Sequence, residues 1–580
     1  MQKIASITTL IVTILVTAII YIPGTSSPLQ LDSLKLYQLE RIYNKSGLDI
    51  SLQDIKFGNN LGRYVSQASF YLNIHASSKL DSANIKRTNL AIHLACGVLI
   101  FLFSLNISGA TNYSPHKYTI AAITSSLWLL APMNISSVLY AVQRMTQLAT
   151  LFSLASLILY LQSRKYFQSK AASHKGIMCA LLSIAAFLLA IQSKEIGVLT
   201  ITYLILIELL IFRVRPSSKF IFLGLAACII AAGALLQFAQ LPDYSEKPFT
   251  LAERLLTQTV IVSEYVQNLI LPTSIEIGIY QDNHTISKSL TDPISTLLCT
   301  IAIALITTAC LFFSRFKSTS LPVFGVLFFF AGHLLESTIL PIELYFEHRN
   351  YAPSIGVYLT LSLLTLGCGL KYGIKIPALI LSVYIAAFIT IDILRVSNWN
   401  SPQRALELSA YREPPSGRAL SNLVQLHLNK GDVSRARKTL NYLIESVPER
   451  RFSALLQSMY ISCLTGIPPQ EQIYNQLTNA VSVYSKIEAS HAINNVIHAI
   501  EKTNCTSIDL NKLSDSLLKH SERTRLPASS SWYIDYYIAK IYSLQSTRKA
   551  IDYLYQLGLS GNDKALLYAE ELASDQQQNQ

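Results

Sequence analysis

Up to about residue 395 the chain alternates long apolar blocks with short polar breaks. After an opening block in MQKIASITTLIVTILVTAIIYIPG, further blocks fall at 89–107, 117–133, 141–162, 176–193, 196–212, 220–239, 293–314, 320–341, 351–369 and 374–394. Each is near the roughly 20 residues that carry a helix across a bilayer core, so the pattern predicts about eleven transmembrane helices. The opening block has the Lys3 and apolar core of a signal peptide. It reaches spanning length with no small-x-small cleavage site behind it, and reads as an uncleaved first span. Residues 251–272, LAERLLTQTVIVSEYVQNLILP, differ because Glu253, Arg254, Gln258, Glu264 and Gln267 interrupt them. This is the pattern of an amphipathic helix in the outer interface. If it crosses instead, every later loop inverts.

From about Ser397 the pattern changes to a polar chain with helical spacing. In NLVQLHLNKGDVSRARKTLNYLIESVPER the apolar residues recur around a Gly431-Asp432 turn and stop at Pro448, a helix–turn–helix rhythm like one tetratricopeptide unit. A weaker copy, WYIDYYIAKIYSLQSTRKAIDYLYQLG, starts at Trp532. The expected fold class is therefore all-α: a polytopic membrane helix bundle over 1–395 with a long first outer loop at 25–88, then a tetratricopeptide-like helical domain over 396–573. A plain helical cap is the alternative for the second part. Residues 574–580 read as a disordered tail.

Composition agrees: of 580 residues 51% are hydrophobic and 14% charged, which sets aside an ordinary soluble protein. The net charge of +12 does not require a nucleic-acid partner, because the basic excess sits in short loops. Taking Lys3 and the loops with Arg164, Lys165 and Lys170, with Arg213, Arg215 and Lys219, with Arg315 and Lys317, and with Lys371 and Lys375 as cytoplasmic satisfies the positive-inside rule. The C-terminal domain then lies outside, and so do the 25–88 loop, the Ser193-Lys194-Glu195 turn and the 342–350 turn. Six of eight cysteines fall in or beside apolar blocks without metal-ligand spacing. Cys463 and Cys505 lie in the polar part and are either a pair, in an oxidising compartment, or two separate thiols.

Candidate chemistry concentrates in GHLLESTILPIELYFEHRNY, residues 332–351, where His333, Glu336, Glu343, Glu347, His348 and Arg349 stand at the lip of an apolar block. Ionisable groups at such a place are costly to keep and are functional candidates. His333 and Glu336 share a helix face by their spacing, which suits a buried hydrogen-bonded pair or part of a metal site. Glu208 is expected to pair with Arg213, and Glu195 to neutralise Lys194.

Five stretches carry a resemblance: RYVSQASFYLNIH, IKRTNLAIHLACGVLIF, LLAPMNISSVLYAVQRMTQLATLFSLASLILYL, LLAIQSKEIGVLTITYLILIELLIFR and GHLLESTILPIELYFEHRNYAPSIGVYL. Taken together, with their QRMT, SKE and ELYFEHRNY blocks, they resemble the bacterial tetratricopeptide-containing relatives of the protein O-mannosyltransferases. These are integral-membrane glycosyltransferases of the GT-C type. The resemblance covers most of residues 30–370 and implies a polyprenyl-phosphate sugar as donor, an exported protein as acceptor, and transfer on the outer face of a bacterial inner membrane. It implies no cofactor beyond the lipid-linked donor, with a divalent metal left open. It also implies a catalytic acid in the first outer loop, which falls on Asp32 in LQLDSLKL. Relatives often carry two adjacent acids there, whereas this chain has Leu31-Asp32-Ser33.

Such a transfer needs a base for the acceptor hydroxyl, positive charge for the leaving phosphate, and a site that excludes water. Asp32 reads as the base, or as a loop carboxylate capping the next helix. Arg349 offers the guanidinium fork that phosphate prefers, or else anchors the interface or pairs with Glu343 or Glu347. His348 is a hydrogen-bond donor to phosphate or sugar, Lys194 a holder of the donor, and Arg63 a positioning group. Arg144 is either a second phosphate contact or a side chain snorkelling to headgroups. Competing readings are transfer onto a lipid-linked glycan or envelope polymer, a transporter for lipid-linked sugars, and an inactive scaffold whose repeats recruit partners.

Overall fold

The computed structural model describes residues 2–47, 63–169, 173–214, 244, 247–480, 486–524, 528–559 and 562–578. The described residues form helices joined by turns, with no strand among them. They group into two compact units, Met1–Pro242 with Leu251–Ala405, and Asp243–Thr250 with Leu406–Gln580.

In the first unit the helices are α1 (Gln2–Tyr21), α2 (Leu36–Ser46), α3 (Tyr64–Ser77), α4 (Ser82–Gly109), α5 (Lys117–Leu129), α6 (Asn134–Leu139), α7 (Arg144–Ser169), α8 (Ser173–Ser193) and α9 (Thr200–Leu206). They continue with α10 (Leu251–Ile270), α11 (Ile294–Phe313), α12 (Ser320–Gly332), α13 (Ser354–Tyr372) and α14 (Lys375–Trp399). Seven of these, α1, α4, α7, α8, α11, α13 and α14, are long and apolar enough to cross a membrane. The remaining predicted spans come out differently. The 117–133 block is helical only to Leu129, because Pro132 follows, and the 320–341 block only to Gly332, where the ionisable residues begin. The 196–212 block is broken into a 3-10 turn at Glu195–Leu199, the short α9, and a π turn at Ile207–Ile211. The 220–239 block lies outside the described residues.

Hydrogen bonds between helix ends fix which loops share an end of the bundle. At one end Gln2 donates to Thr119 at 2.7 Å, Gln162 to Asn106 at 2.7 Å, and Arg213 to the carbonyl of Arg315 at 2.7 Å. At the other end Ser82 and Lys86 donate to the Ser27 carbonyl, Ser66 to that of Ser193, and Arg395 pairs with Glu347. The basic loops around Arg164, Arg213 and Arg315 therefore gather opposite the end that carries Asp32, Lys194 and Arg349. Neither end of α10 reaches the basic end. Arg254 near its start donates to the carbonyls of Glu336, Thr338 and Ile342, and soon after its end Arg395 donates to the carbonyl of Ser274. Arg254 is one of the polar residues that interrupt its sequence, and α10 is not among the seven long apolar helices. Close approach between helices relies on small residues, as where a Cβ on Gly356 would lie 2.2 Å from the Gly325 carbonyl oxygen.

The described residues of the second unit are helices joined by turns. Gly417–Asn429 and Val433–Ser446 pack together across a turn at Gly431, whose φ of +75° suits glycine. Ser416 and Asp432 cap their N-termini by accepting from the amides of Ala419 and Arg435. Ala528–Gln545, Thr547–Leu559 and Asp563–Gln578 follow, so the tail expected to be disordered from 574 is helical as far as Gln578. Its run of glutamines favours a helix once the preceding turns are packed. The core gathers Phe452, Leu455, Met459, Leu477, Val496 and Ile538. Cys463 and Cys505 form a disulfide at its edge.

His520 is buried and stacks on Phe452 at 4.4 Å. Burial pushes its imidazole from 6.5 down to about 4. The folded unit thus holds His520 neutral while the unfolded chain takes up a proton. The associated stability is complete above about pH 6.5 and is lost as pH falls toward about 4, at most roughly 3 kcal/mol. His520→Leu is expected to flatten this acid limb in unfolding followed by circular dichroism. An unchanged limb shows that other groups control it.

Candidate functional site

Asp32 sits on a 3-10 turn, Leu31–Lys35, directly behind α1. Leu31 has a φ of +47°, a region that costs a branched side chain energy and persists only where neighbours enforce it. Enforcement comes from the segment before α7: the Tyr140 hydroxyl accepts from the Asp32 amide at 3.1 Å, and Ser33 Oγ accepts from the Val142 amide at 3.3 Å. The carboxylate lies 2.8 Å from Lys35 Nζ and accepts from the Tyr140 hydroxyl at 3.3 Å, and the side chain remains 58% exposed. It is oriented, yet open to an incoming hydroxyl.

The same segment leads inward to a buried charged cluster. Thr146 accepts from Lys194 Nζ at 3.2 Å, and Lys194 pairs with Glu336 at 2.8 Å. From Tyr140 to Thr146 the path along the chain is on the order of 10 Å. Burial alone would raise the Glu336 carboxyl, but Lys194, its hydrogen-bonded partner, and Arg349 outweigh it and hold it down at about 2. His348 is buried, stacks on Phe346 at 4.9 Å, and is driven well below the usual imidazole range by burial and by the nearby Lys194 and Arg349. It is therefore neutral, able to share a hydrogen bond but not to supply charge.

Arg349, on the 3-10 turn Glu347–Asn350, donates to the main-chain carbonyls of Glu343 and Leu344, with its guanidinium 5.7 Å from the Phe346 ring. Its Nε is buried without a hydrogen-bond partner among the described residues, an arrangement that costs energy unless a further group meets it. Arg349 and Glu336 line a small cavity with Thr150, Ser153, Tyr203 and Gly332; at about 20 Å³ it has room for about one water. It adjoins the apolar faces of Leu199 and Pro353, so charge at one side meets membrane-like surface at the other.

Other sequence expectations are placed elsewhere. Arg144 does not face an outer cavity. Its Nε donates to Asn89 Oδ1 at 2.8 Å, Nη1 to the Ser69 carbonyl at 2.9 Å and Nη2 to the Ile85 carbonyl at 2.8 Å, and the group lies 4.4 Å from the Phe70 ring. Fully buried, it ties α3 and α4 to α7. Glu195 pairs with Arg63 at 2.8 Å and not with Lys194, because Lys194 turns inward to Glu336. Glu208 pairs with Arg164 at 3.1 Å and accepts from Tyr160 at 2.6 Å, while Arg213 turns to Arg315. His333 meets Ser337 at 3.1 Å and stacks on Tyr265, so it does not pair with Glu336. No group of three or more metal-ligating side chains occurs among the described residues. Glu347 finds its partner in Arg395 at 3.0 Å, and burial pushes its carboxyl up against the opposing pull of that arginine.

Lys194→Met is expected to destabilise the protein by about 3–5 kcal/mol, since it strands the buried Glu336 charge. Lys194→Met with Glu336→Gln should recover most of that loss in thermal unfolding. No recovery would mean the two groups are not coupled.

The chain matches no protein-family model, no curated protein and no solved structure. Among the described residues, fold and site together define an all-helical protein with seven helices suited to a membrane and a buried cationic cluster at one end of the bundle.

Proposed function

We propose that this chain is a membrane glycosyltransferase that moves a sugar from a polyprenyl phosphate to a serine or threonine of an exported protein. The reading places it in a bacterial inner membrane and takes it as similar to the protein O-mannosyltransferase relatives. It counts eleven crossings, adding α5, α9 with its π turn, α12 and the 220–239 block to the seven long helices. The C-terminal unit, read as a tetratricopeptide-like holder of the acceptor, then lies on the outer side. The Cys463–Cys505 disulfide supports that side, because such bonds persist in oxidising compartments.

One observation carries the proposal: Asp32 and the Lys194, His348 and Arg349 cluster lie at the same end of the bundle, joined by the Tyr140–Thr146 segment. Asp32 takes the proton of the acceptor hydroxyl as its oxygen attacks the anomeric carbon. The bond from that carbon to the phosphate oxygen breaks, and the electron pair leaves with the lipid phosphate. Single displacement inverts the anomeric centre. Lys194 and Arg349 meet the developing phosphate charge, and the phosphate competes with Glu336 for Lys194. His348 donates a neutral hydrogen bond, Glu343 holds Arg349 through its carbonyl, and Arg63 with Glu195 braces the rim.

The test compares intact masses of exported glycoproteins from cells with the gene, without it, and with Asp32→Asn. Loss of one sugar-sized increment in both defective strains is expected. An unchanged profile with altered flipping of labelled lipid would move the chain to the transporter class.

A further inference from the structure

Two acids and one cation are sealed together beneath the site. Asp392 and Arg395 lie one turn apart on α14, and Glu347 reaches Arg395 from the turn before α13. Asp392 is 0% exposed, Glu347 3% and Arg395 4%. Arg395 is held by three hydrogen bonds: Nη1 donates to Glu347 Oε2 and to the Pro132 carbonyl, each at 3.0 Å, and Nε to the Ser274 carbonyl at 2.9 Å. Gly278 closes the other side of Glu347, since a Cβ there would stand 2.0 Å from Oε2.

Asp392 has no such partner; neither of its carboxyl oxygens makes a hydrogen bond among the described residues. The titratable and charged groups that face it are Arg395 on its own helix, Tyr21 of α1 and Tyr358 of α13. Of the other elements packed on α14, α6 and the turn Ile22–Ser26 carry no titratable side chain. The Tyr21 hydroxyl is likewise buried without a partner, while that of Tyr358 donates to the Leu269 carbonyl at 3.2 Å.

One guanidinium cannot neutralise two carboxylates. A second ionised acid, buried with no hydrogen bond, costs far more than the uptake of a proton. Glu347 holds the direct contact with Arg395, so the proton belongs on the other acid. We propose that Asp392, Arg395 and Glu347 form a proton-binding site that holds one proton, resident on Asp392, with Asp392 as reserve counter-ion to Arg395. When Glu347 keeps its place, Asp392 is a neutral acid. When Glu347 is lost as a charge, Asp392 releases its proton to solvent and becomes the partner of Arg395, so the net charge of the site stays at zero. Glu347 opens the turn that carries His348 and Arg349, so this exchange keeps Arg395 charge-balanced next to that turn. The proposal stands whether or not the chain transfers sugar.

Infrared spectroscopy of the full-length protein in detergent reads the proton directly, since a protonated carboxylic acid has a carbonyl stretch that a carboxylate lacks. At neutral pH the spectrum of wild type minus Asp392→Asn should contain that band. Asp392→Glu, which keeps the acid, should shift it. Glu347→Gln should abolish it, because Asp392 then ionises beside Arg395. In thermal unfolding the double variant Glu347→Gln, Asp392→Asn should lose more than the two single losses added, as Arg395 is left without any counter-ion. Absence of the band in wild type, its survival in Glu347→Gln, or additive losses would each overturn the proposal.

Discussion

Under the proposed transfer reaction, Asp32→Asn is expected to lower sugar transfer by on the order of 10²–10⁴-fold while leaving thermal unfolding unchanged. The substitution keeps the shape of the side chain and its contact with the Tyr140 hydroxyl, and removes only the capacity to take a proton. Stability should not follow, because the carboxylate is more than half exposed and its ion pair with Lys35 is a surface pair three residues along the chain. Occupancy of an acceptor site, measured by mass spectrometry on equal amounts of folded protein, separates the two effects. A variant that transfers at the wild-type rate removes Asp32 from the reaction. A variant that fails to fold would instead assign the residue to the strained turn at Leu31.

The second large effect is expected at Arg144, and in the opposite sense. Arg144→Leu should destabilise the protein by about 3–5 kcal/mol while each surviving folded molecule keeps the proposed transfer activity. All three guanidinium nitrogens are satisfied inside the bundle, and removal leaves Asn89 Oδ1 buried without its donor. Arg144→Lys retains charge but cannot span Asn89, Ser69 and Ile85 at once, so it should restore only part of the loss. The measurement is thermal unfolding set beside activity per folded molecule. If the rate per molecule collapses and the melting temperature stays, Arg144 touches substrate after all.

These two residues show where the sequence was informative. Hydrophobic spacing located the long helices, and the positive-inside count grouped the loops of Asp32, Lys194 and Arg349, because both depend on local composition alone. What it missed were long-range choices of partner. Lys194 has an acid next to it in sequence and another 142 residues away, and geometry selects the distant one. Arg144 lies at a helix start, where composition cannot distinguish a side chain pointing outward from one turned back into the bundle. The apolar blocks at 117–133 and 320–341 are longer than the helices within them, because apolar residues continue past the point where Pro132 and His333 end the helices. Arg395 was visible in principle, since IDILR places an acid and a base three apart inside an apolar block. Tyr140 carried no signal, being one tyrosine of 31 in the chain.

The bridge between Cys463 and Cys505 spans 42 residues and ties the end of one helix to the stretch that follows another. During synthesis the two thiols are delivered separately, and on the proposed outward placement this part of the molecule matures only after reaching a place supplied with dithiol oxidants. A shift in gel mobility between reduced and unreduced samples would therefore time-stamp that arrival in pulse-labelled cells.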